Sequence, residues 1–130
     1  MTDMGTFRTT IAVENPMTRG RLEALNDVLV DTGSELTWVP RLVLERLGIK
    51  PERRYTFALA DGRSLEREVG YAIVHVGDAA TADDVVFAES TDLVLLGARS
   101  LEGLNLKIDP RSRRLVSAGP IVAAATHHAA

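Results

Sequence analysis

Short apolar runs separated by polar turns dominate the chain, and several of them alternate between apolar and polar positions. Alternation of this kind, rich in β-branched and aromatic residues, predicts half-buried strands. The uninterrupted apolar run at 93–96 predicts a strand that is covered on both faces. Predicted strands fall at 6–13, 24–30, 55–60, 64–76, 85–88 and 93–96, with a short buried piece at 36–39 and a last hairpin from 104–108 and 115–116.

Turn and cap residues lie between these runs. Asn15-Pro16 ends the first strand, Asp61-Gly62 predicts a tight hairpin, and 77–83 predicts a polar, acidic turn. Helical stretches are short: one begins after Pro40 and ends at Gly48, and a second is predicted at 98–103. Many short strands with little helix predict an all-β fold, as a barrel or a sandwich.

Length and charge favour one ordinary globular domain. The chain has 130 residues and a net charge of −3, so no general attraction to nucleic acid is expected. We expect a flexible N-terminus at 1–5, the domain at 6–120, and an edge strand or disordered tail at 121–130. No apolar run reaches membrane-spanning length and no signal-peptide pattern opens the sequence, which predicts a soluble protein without membrane partners.

Cysteine is missing from the chain, which excludes disulfides and thiolate chemistry and fits a cytoplasmic location. No metal site is expected. His75 lies in a predicted strand, His127 and His128 lie in the alanine-rich tail, and the acidic positions lack the regular spacing of a calcium loop. No cofactor is expected either.

The most informative segment runs from Val28 to Pro40. Three apolar residues lead into Asp31-Thr32-Gly33, which predicts a buried strand that ends in a tight turn. A carboxylate at the end of an apolar strand is costly unless it is used or paired. Asp31 is therefore either a catalytic group or the cap of an Asx-type turn.

A single carboxylate can act as a base toward water but cannot donate a proton in the same step. Peptide hydrolysis needs both transfers. Two carboxyls within about 3 Å of each other share one proton and supply both. The Asp-Thr-Gly triplet occurs once, so a twofold dimer would supply the second Asp31.

These residues resemble the pepsin and retropepsin superfamily of aspartic proteases. Val30 to Ser34 is similar to the active-site loop, and Leu36 to Pro40 is close to the stretch that follows it in pepsins. The run from Leu93 to Gly97 is similar to the second signature, which braces that loop. The Asp61-Gly62 hairpin lies between the two signatures, where the family has its flap. The chain is similar in size to retropepsins and their bacterial single-domain relatives, which are homodimers.

The resemblance implies a small closed β-barrel with a flap hairpin and one or two short helices. It implies a homodimeric aspartic endopeptidase acting on an extended peptide or protein. The implied roles are catalysis by Asp31, Thr32 and Gly33, with the hydroxyl of Ser34 orienting the Asp31 carboxylate. The implied substrate-binding residues are Ser34, Trp38, Ala60, Asp61, Gly62, Leu96 and Gly97, and Trp38 packs under the flap.

Two features depart from the pattern: Glu35 places a charge directly after the loop, and the flap tip from Ala60 to Arg63 is charged. They motivate a second hypothesis, a catalytically silent dimer that binds peptides or scaffolds a complex. A third is a monomer without a shared site. A strand followed by Asp-x-Gly-Ser also occurs in the phosphate loop of actin-like and sugar-kinase folds. Those folds need two α/β domains, and this chain is too short and too rich in strands for them.

Overall fold

The computed structural model describes residues 7–125 of the chain. The predicted flexible segment at 1–5, Thr6 of the first strand, and the tail from Thr126 with His127 and His128 lie outside the described residues. Within them the strands are β1 Phe7–Glu14, β2 Leu22–Val30, β3 Thr37–Pro40, β4 Arg53–Ala58, β5 Ser64–Val76, β6 Ala79–Ala88, β7 Leu95–Leu96, β8 Leu106–Asp109 and β9 Arg114–Ser117. The helices are α1 Arg41–Arg46 and α2 Ala98–Leu104.

Most of the structure is strand, which confirms the all-β prediction. Seven strands form one sheet in the order β1-β2-β7-β3-β6-β5-β4, and β1 also pairs with β5. β8 and β9 form a separate hairpin. Because β2 and β7 pair in parallel, the ends of both strands, and the turns after them, lie side by side.

The core is aliphatic and lies under the sheet. Alternate residues of the strands point inward, as the period of two requires. Phe87 is the largest side chain that is fully buried. Around it pack residues of both helices and most strands, among them Ile11, Val13, Val28, Val30, Val39, Leu44, Val74, Val85, Leu96 and Leu101.

The first helix lies where the sequence predicts it, and α2 extends one residue beyond the predicted 98–103, to Leu104, which was expected to open the last hairpin. Pro40 occupies the position directly before α1, where a helix has no use for its missing N–H. Gly48 follows α1 with φ 74°, a conformation that glycine adopts without strain. Asn105 ends α2 in the left-handed conformation.

Two predictions for the second half of the chain are wrong. The polar turn predicted at 77–83 comprises only Gly77 and Asp78, because β6 already begins at Ala79 and carries Asp83 and Asp84 in its middle. The apolar run at 93–96 forms a strand only at Leu95 and Leu96. Leu93 is 62% exposed and is therefore not covered on both faces.

Residues 121–125 belong to no strand of this chain, and Ile121 and Val122 are 78% and 95% exposed. An edge strand that pairs across a dimer, one of the two alternatives expected for this segment, stays a prediction.

Candidate active site

Asp31 lies at the first position after β2, as the sequence predicts. Its backbone N–H donates to the Leu96 carbonyl at 3.0 Å, so the parallel pairing of β2 and β7 fixes where the turn begins. The side chain is half-buried, and its Oδ1 accepts a hydrogen bond from the Gly33 N–H at 2.9 Å. Within residues 7–125, Oδ2 has no hydrogen-bond partner. One oxygen therefore holds the turn and the other remains available.

The Asx-turn and the catalytic interpretation are therefore compatible in this geometry. The Asp31 carbonyl also accepts from the Ser34 N–H at 3.2 Å, which closes a tight turn around Thr32 and Gly33. Thr32 and Gly33 are exposed at its tip. Their side of the turn is open to another molecule, which is what contact with a second copy would need.

Ser34 does not make the contact expected of it. Its hydroxyl donates to the Leu36 carbonyl at 2.9 Å, so its one proton is not directed at the Asp31 carboxylate. The preference of serine for local backbone partners explains the difference. Glu35 is exposed, and its closest cation is Arg99, with Nη2 4.0 Å from Oε2.

The second signature lies directly against the Asp31 turn. A side chain on Gly97 would overlap the Leu36 carbonyl and would lie 3.0 Å from the Ser34 oxygen. The N–H groups of Ala98 and Arg99, at the start of α2, donate to the carbonyls of Ser34 and Glu35 at 2.8 and 3.0 Å. The bracing role expected of this signature is therefore present in the geometry.

Leu96 and Gly97 support the turn from within the fold. The Leu96 side chain is completely buried in the core, and Gly97 is buried against the loop. Leu96 therefore offers no side chain to a substrate and Gly97 has none, so the expected substrate contact of these two residues stays a prediction for their backbone groups. Their contribution is made through backbone groups and close packing.

A buried chain of hydroxyls continues from Gly97. The Gly97 N–H donates to Thr37 Oγ1 at 3.0 Å, Thr37 donates to Ser100 Oγ at 2.6 Å, and Ser100 donates to Asp83 Oδ2 at 3.0 Å. Thr37 and Ser100 are completely buried. Burial raises the pKa of Asp83. Sequence reasoning missed these three residues, because nothing local distinguishes them from ordinary strand and helix residues.

The predicted flap is a hairpin of β4 and β5 closed by the loop 59–63. The Leu59 N–H donates to the Arg63 carbonyl at 2.8 Å, and Gly62 has φ 88°. Asp61 accepts from the Arg63 N–H at 3.0 Å and from Arg63 Nε at 2.7 Å. Ala60, Asp61 and Gly62 are exposed, and the tip charges are paired with each other.

Trp38 connects the flap to the site. Its ring lies 5.2 Å from that of Phe57 on β4, measured between centroids, and its backbone pairs with Leu95. The expected packing of Trp38 under the flap is therefore present. No hydrogen bond within residues 7–125 joins the flap tip to the Asp31 turn. The structure thus brings together Asp31, Thr32, Gly33, Ser34 and the backbone of Leu96 and Gly97.

Other candidate chemistry is separate from this turn. His75 Nε2 lies 2.7 Å from Glu14 Oε1, so its contact is with a buried carboxylate. Among residues 7–125, no three His, Cys, Asp or Glu side chains form a group that could hold a metal ion. Neither helix in that range has the length and apolar character needed to cross a membrane.

Comparison with known protein families gives a match. The sequence model of a family described as aspartyl protease matches residues 20–100, a span that contains the Asp31 turn, the flap hairpin and the Leu93 to Gly97 run. No curated protein matches the chain. The match covers more than half of the sequence, and the chain therefore belongs to this aspartyl protease family of the pepsin and retropepsin clan.

Proposed function

We propose that the protein is a homodimeric aspartic endopeptidase with two copies of Asp31, one per subunit, at its active site. The observation that carries the proposal is the free Oδ2 of Asp31, held on a braced turn with its tip exposed. Membership of the protease family supports the reaction class. The pairing of β1 with β5, which returns the main sheet on itself, supports the closed-barrel form of each subunit.

The proposed mechanism needs the two Asp31 carboxyls and one water molecule. Carboxyls that face each other at short range share a proton, because both cannot ionise together. The ionised member takes a proton from water, and the protonated member donates to the carbonyl oxygen of the scissile bond. The Gly33 N–H orients Oδ1, so Oδ2 would face the water and the partner subunit.

The proposed substrate is an extended peptide between the flap hairpin and the Asp31 turn. A hairpin edge can add strand-like backbone hydrogen bonds to an extended chain. The ring of Trp38, packed at a tilt against Phe57, would form part of the floor beneath that peptide. The proposed location, the cytoplasm, is supported by the lack of cysteine.

The experiment is cleavage of an unstructured protein from acid to neutral pH by the parent chain and by Asp31→Asn. The asparagine keeps an oxygen for the Gly33 N–H, so the turn should survive while the shared proton is lost. Asp27→Asn is the matched control, since Asp27 lies on β2, the strand that leads to Asp31, with φ 58°, a conformation that asparagine also tolerates. Activity in the parent and the control, absent in Asp31→Asn and blocked by a pepstatin-type inhibitor, supports the proposal.

Absence of cleavage by every variant at every pH would contradict the peptidase. It would favour the second hypothesis, a protease-fold dimer that binds peptides or scaffolds a complex. The charged flap tip motivates that hypothesis. The pairing of Asp61 with Arg63 weakens it, because those two charges neutralise each other.

A further inference from the structure

The return strand of the flap, β5, is attached to the segment 89–94 by a bidentate ion pair. Arg67 donates from Nε to Asp92 Oδ2 at 2.7 Å and from Nη2 to Oδ1 at 2.9 Å. Both side chains are largely buried, with 16% and 9% exposed. Asp92 Oδ2 also accepts from the Glu89 N–H at 2.7 Å, so the carboxylate holds the turn of its own segment.

The neighbouring strand residue makes a second attachment on the opposite face. Arg41 Nη2 donates to Glu68 Oε1 at 2.6 Å and to Glu89 Oε2 at 2.8 Å, and its guanidinium lies 5.0 Å from the ring centre of Phe87. Arg67 and Glu68 point to opposite faces because they are adjacent on a strand. We name the group Arg41, Glu68, Glu89, Arg67 and Asp92 the flap clamp.

The segment held by the flap clamp leads directly to the catalytic turn. Four residues after Asp92, the Leu96 carbonyl accepts the N–H of Asp31. The Val94 carbonyl accepts the N–H of Leu29 at 3.4 Å. The flap strand and the Asp31 turn are thus both attached to the short stretch 92–96. A change in the contact between Arg67 and Asp92 would therefore move the flap hairpin relative to the Asp31 turn.

The Arg67–Asp92 pair differs from the exposed ion pairs of this protein. Exposed pairs contribute little because water screens the charges and the side chains lose conformational freedom when they pair. In the Arg67–Asp92 pair, the bidentate geometry fixes both the orientation and the separation of the two side chains. Loss of one partner leaves a largely buried charge unpaired. The hydrogen bonds from Arg67 also hold the pKa of Asp92 below its usual range, so the pair remains charged in mild acid.

We propose that Arg67 is a positioning residue for substrate: through Asp92 it fixes the flap hairpin relative to the Asp31 turn. It does so without contacting the reacting atoms. The inference deepens the proposed peptidase function and depends on it for its kinetic consequence, but its structural consequence can be measured without any cleavage.

Trp38 provides the structural measurement. It is the only tryptophan in the chain, and it packs on Phe57 of the flap hairpin, so its emission reports where the hairpin lies. The variant Phe57→Leu gives the emission expected when that contact is lost. Arg67→Gln breaks the pair, Arg67→Lys keeps the charge, and Asp92→Asn is a milder break that retains an acceptor for the Glu89 N–H. Arg54→Gln is the matched control, because Arg54 pairs with Glu66 across the same hairpin with both side chains exposed.

Arg67→Gln and Asp92→Asn should shift Trp38 emission toward that of Phe57→Leu, with Arg67→Lys intermediate and Arg54→Gln unchanged. On a peptide substrate, Arg67→Gln should raise KM about tenfold with kcat nearly unchanged, since binding geometry is lost and the carboxyl chemistry is not. If Arg67→Gln does not fold, the Trp38 emission and the KM of Asp92→Asn provide the test instead.

Emission in the folded variants equal to that of the parent chain, or an equal shift in Arg54→Gln, would overturn the inference. A fall in kcat with KM unchanged would also overturn it. If no variant and no parent cleaves peptide, the proposed peptidase fails, while Trp38 emission still tests whether Arg67 positions the flap.

Discussion

Gly97 lies so close to the Leu36 carbonyl that no side chain fits between them. The φ of Gly97 is −93°, an angle that any residue adopts, so the requirement for glycine at this position is purely steric. It places the start of α2 against the loop that follows Asp31. The run from Leu93 to Gly97 is thus explained as a brace for the Asp31 turn.

Gly97→Ala should lower the free energy of unfolding by about 3 kcal/mol, at the top of the range for overpacking, because backbone must move to admit the methyl group. Chemical denaturation measures the loss. Gly77→Ala is the control: Gly77 has φ 55° and open space around it, so it should lose about 1 kcal/mol from backbone strain alone. Equal losses at the two sites would contradict the close contact.

Thr37→Val should destabilise the protein by about 2 kcal/mol, although the two side chains have the same shape, because the Gly97 N–H loses its buried acceptor. Thr37→Ser keeps the hydroxyl and should lose only about 1 kcal/mol for the missing methyl group. Urea denaturation of the three proteins gives the comparison. A valine variant as stable as the parent would show that the hydroxyl chain contributes nothing to stability.

Glu14 should make part of the stability depend on pH in the acid range. Hydrogen bonds from the Gly20 N–H, from Arg19 and from His75 lower the pKa of Glu14 from 4.5 to about 2. Because the pKa of Glu14 is lower in the folded state than in the unfolded state, its ionised carboxylate stabilises the fold. This stabilisation is complete above about pH 4.5 and is lost as the pH falls toward 2. The difference in thermal midpoint between the parent and Glu14→Gln should therefore narrow across that interval.

Glu52→Gln, at an exposed glutamate, controls for the general effect of removing a carboxylate. Its midpoint should remain close to that of the parent at every pH. A constant difference between the parent and Glu14→Gln, from neutral pH to below 3, would mean that the carboxylate is not specifically stabilised in the folded state.

Features set by neighbouring residues could be predicted from the sequence. The turn at Asp31, the end of α1 at Gly48 and the hairpin at Asp61-Gly62 depend on chemistry within a few positions. All three are present in the structure. The family resemblance added the contact between the second signature and the Asp31 turn, which no local rule would give.

Features set by distant partners could not be predicted. The sequence predicted a polar turn at 77–83, whereas Asp83 and Asp84 lie in the middle of β6, where adjacent carboxylates are costly. In the structure Arg53 and Arg99 donate to Asp84 at 2.7 and 3.1 Å, and Ser100 donates to Asp83. These arginine and serine partners come from other elements, and they offset the cost of placing two adjacent carboxylates in a strand. The local sequence does not contain them and therefore could not predict them.

The same limit applied to the site. The Leu93 to Gly97 run showed where the second signature lies but not that Leu96 turns its side chain into the core. The hydroxyl of Ser34 has several local acceptors in any tight turn, and only the fold decides among them. The Arg67–Asp92 pair joins positions that are 25 residues apart, with no spacing rule to indicate it.

The most direct test of a shared active site is a mixing experiment. Parent chain and Asp31→Asn are mixed at increasing proportions of the variant, subunits are allowed to exchange, and peptide cleavage is measured at constant total protein. If each site needs Asp31 from both subunits, activity falls with the square of the parent fraction. Activity that falls only in proportion to the parent fraction would mean that each chain works alone, and would contradict the account.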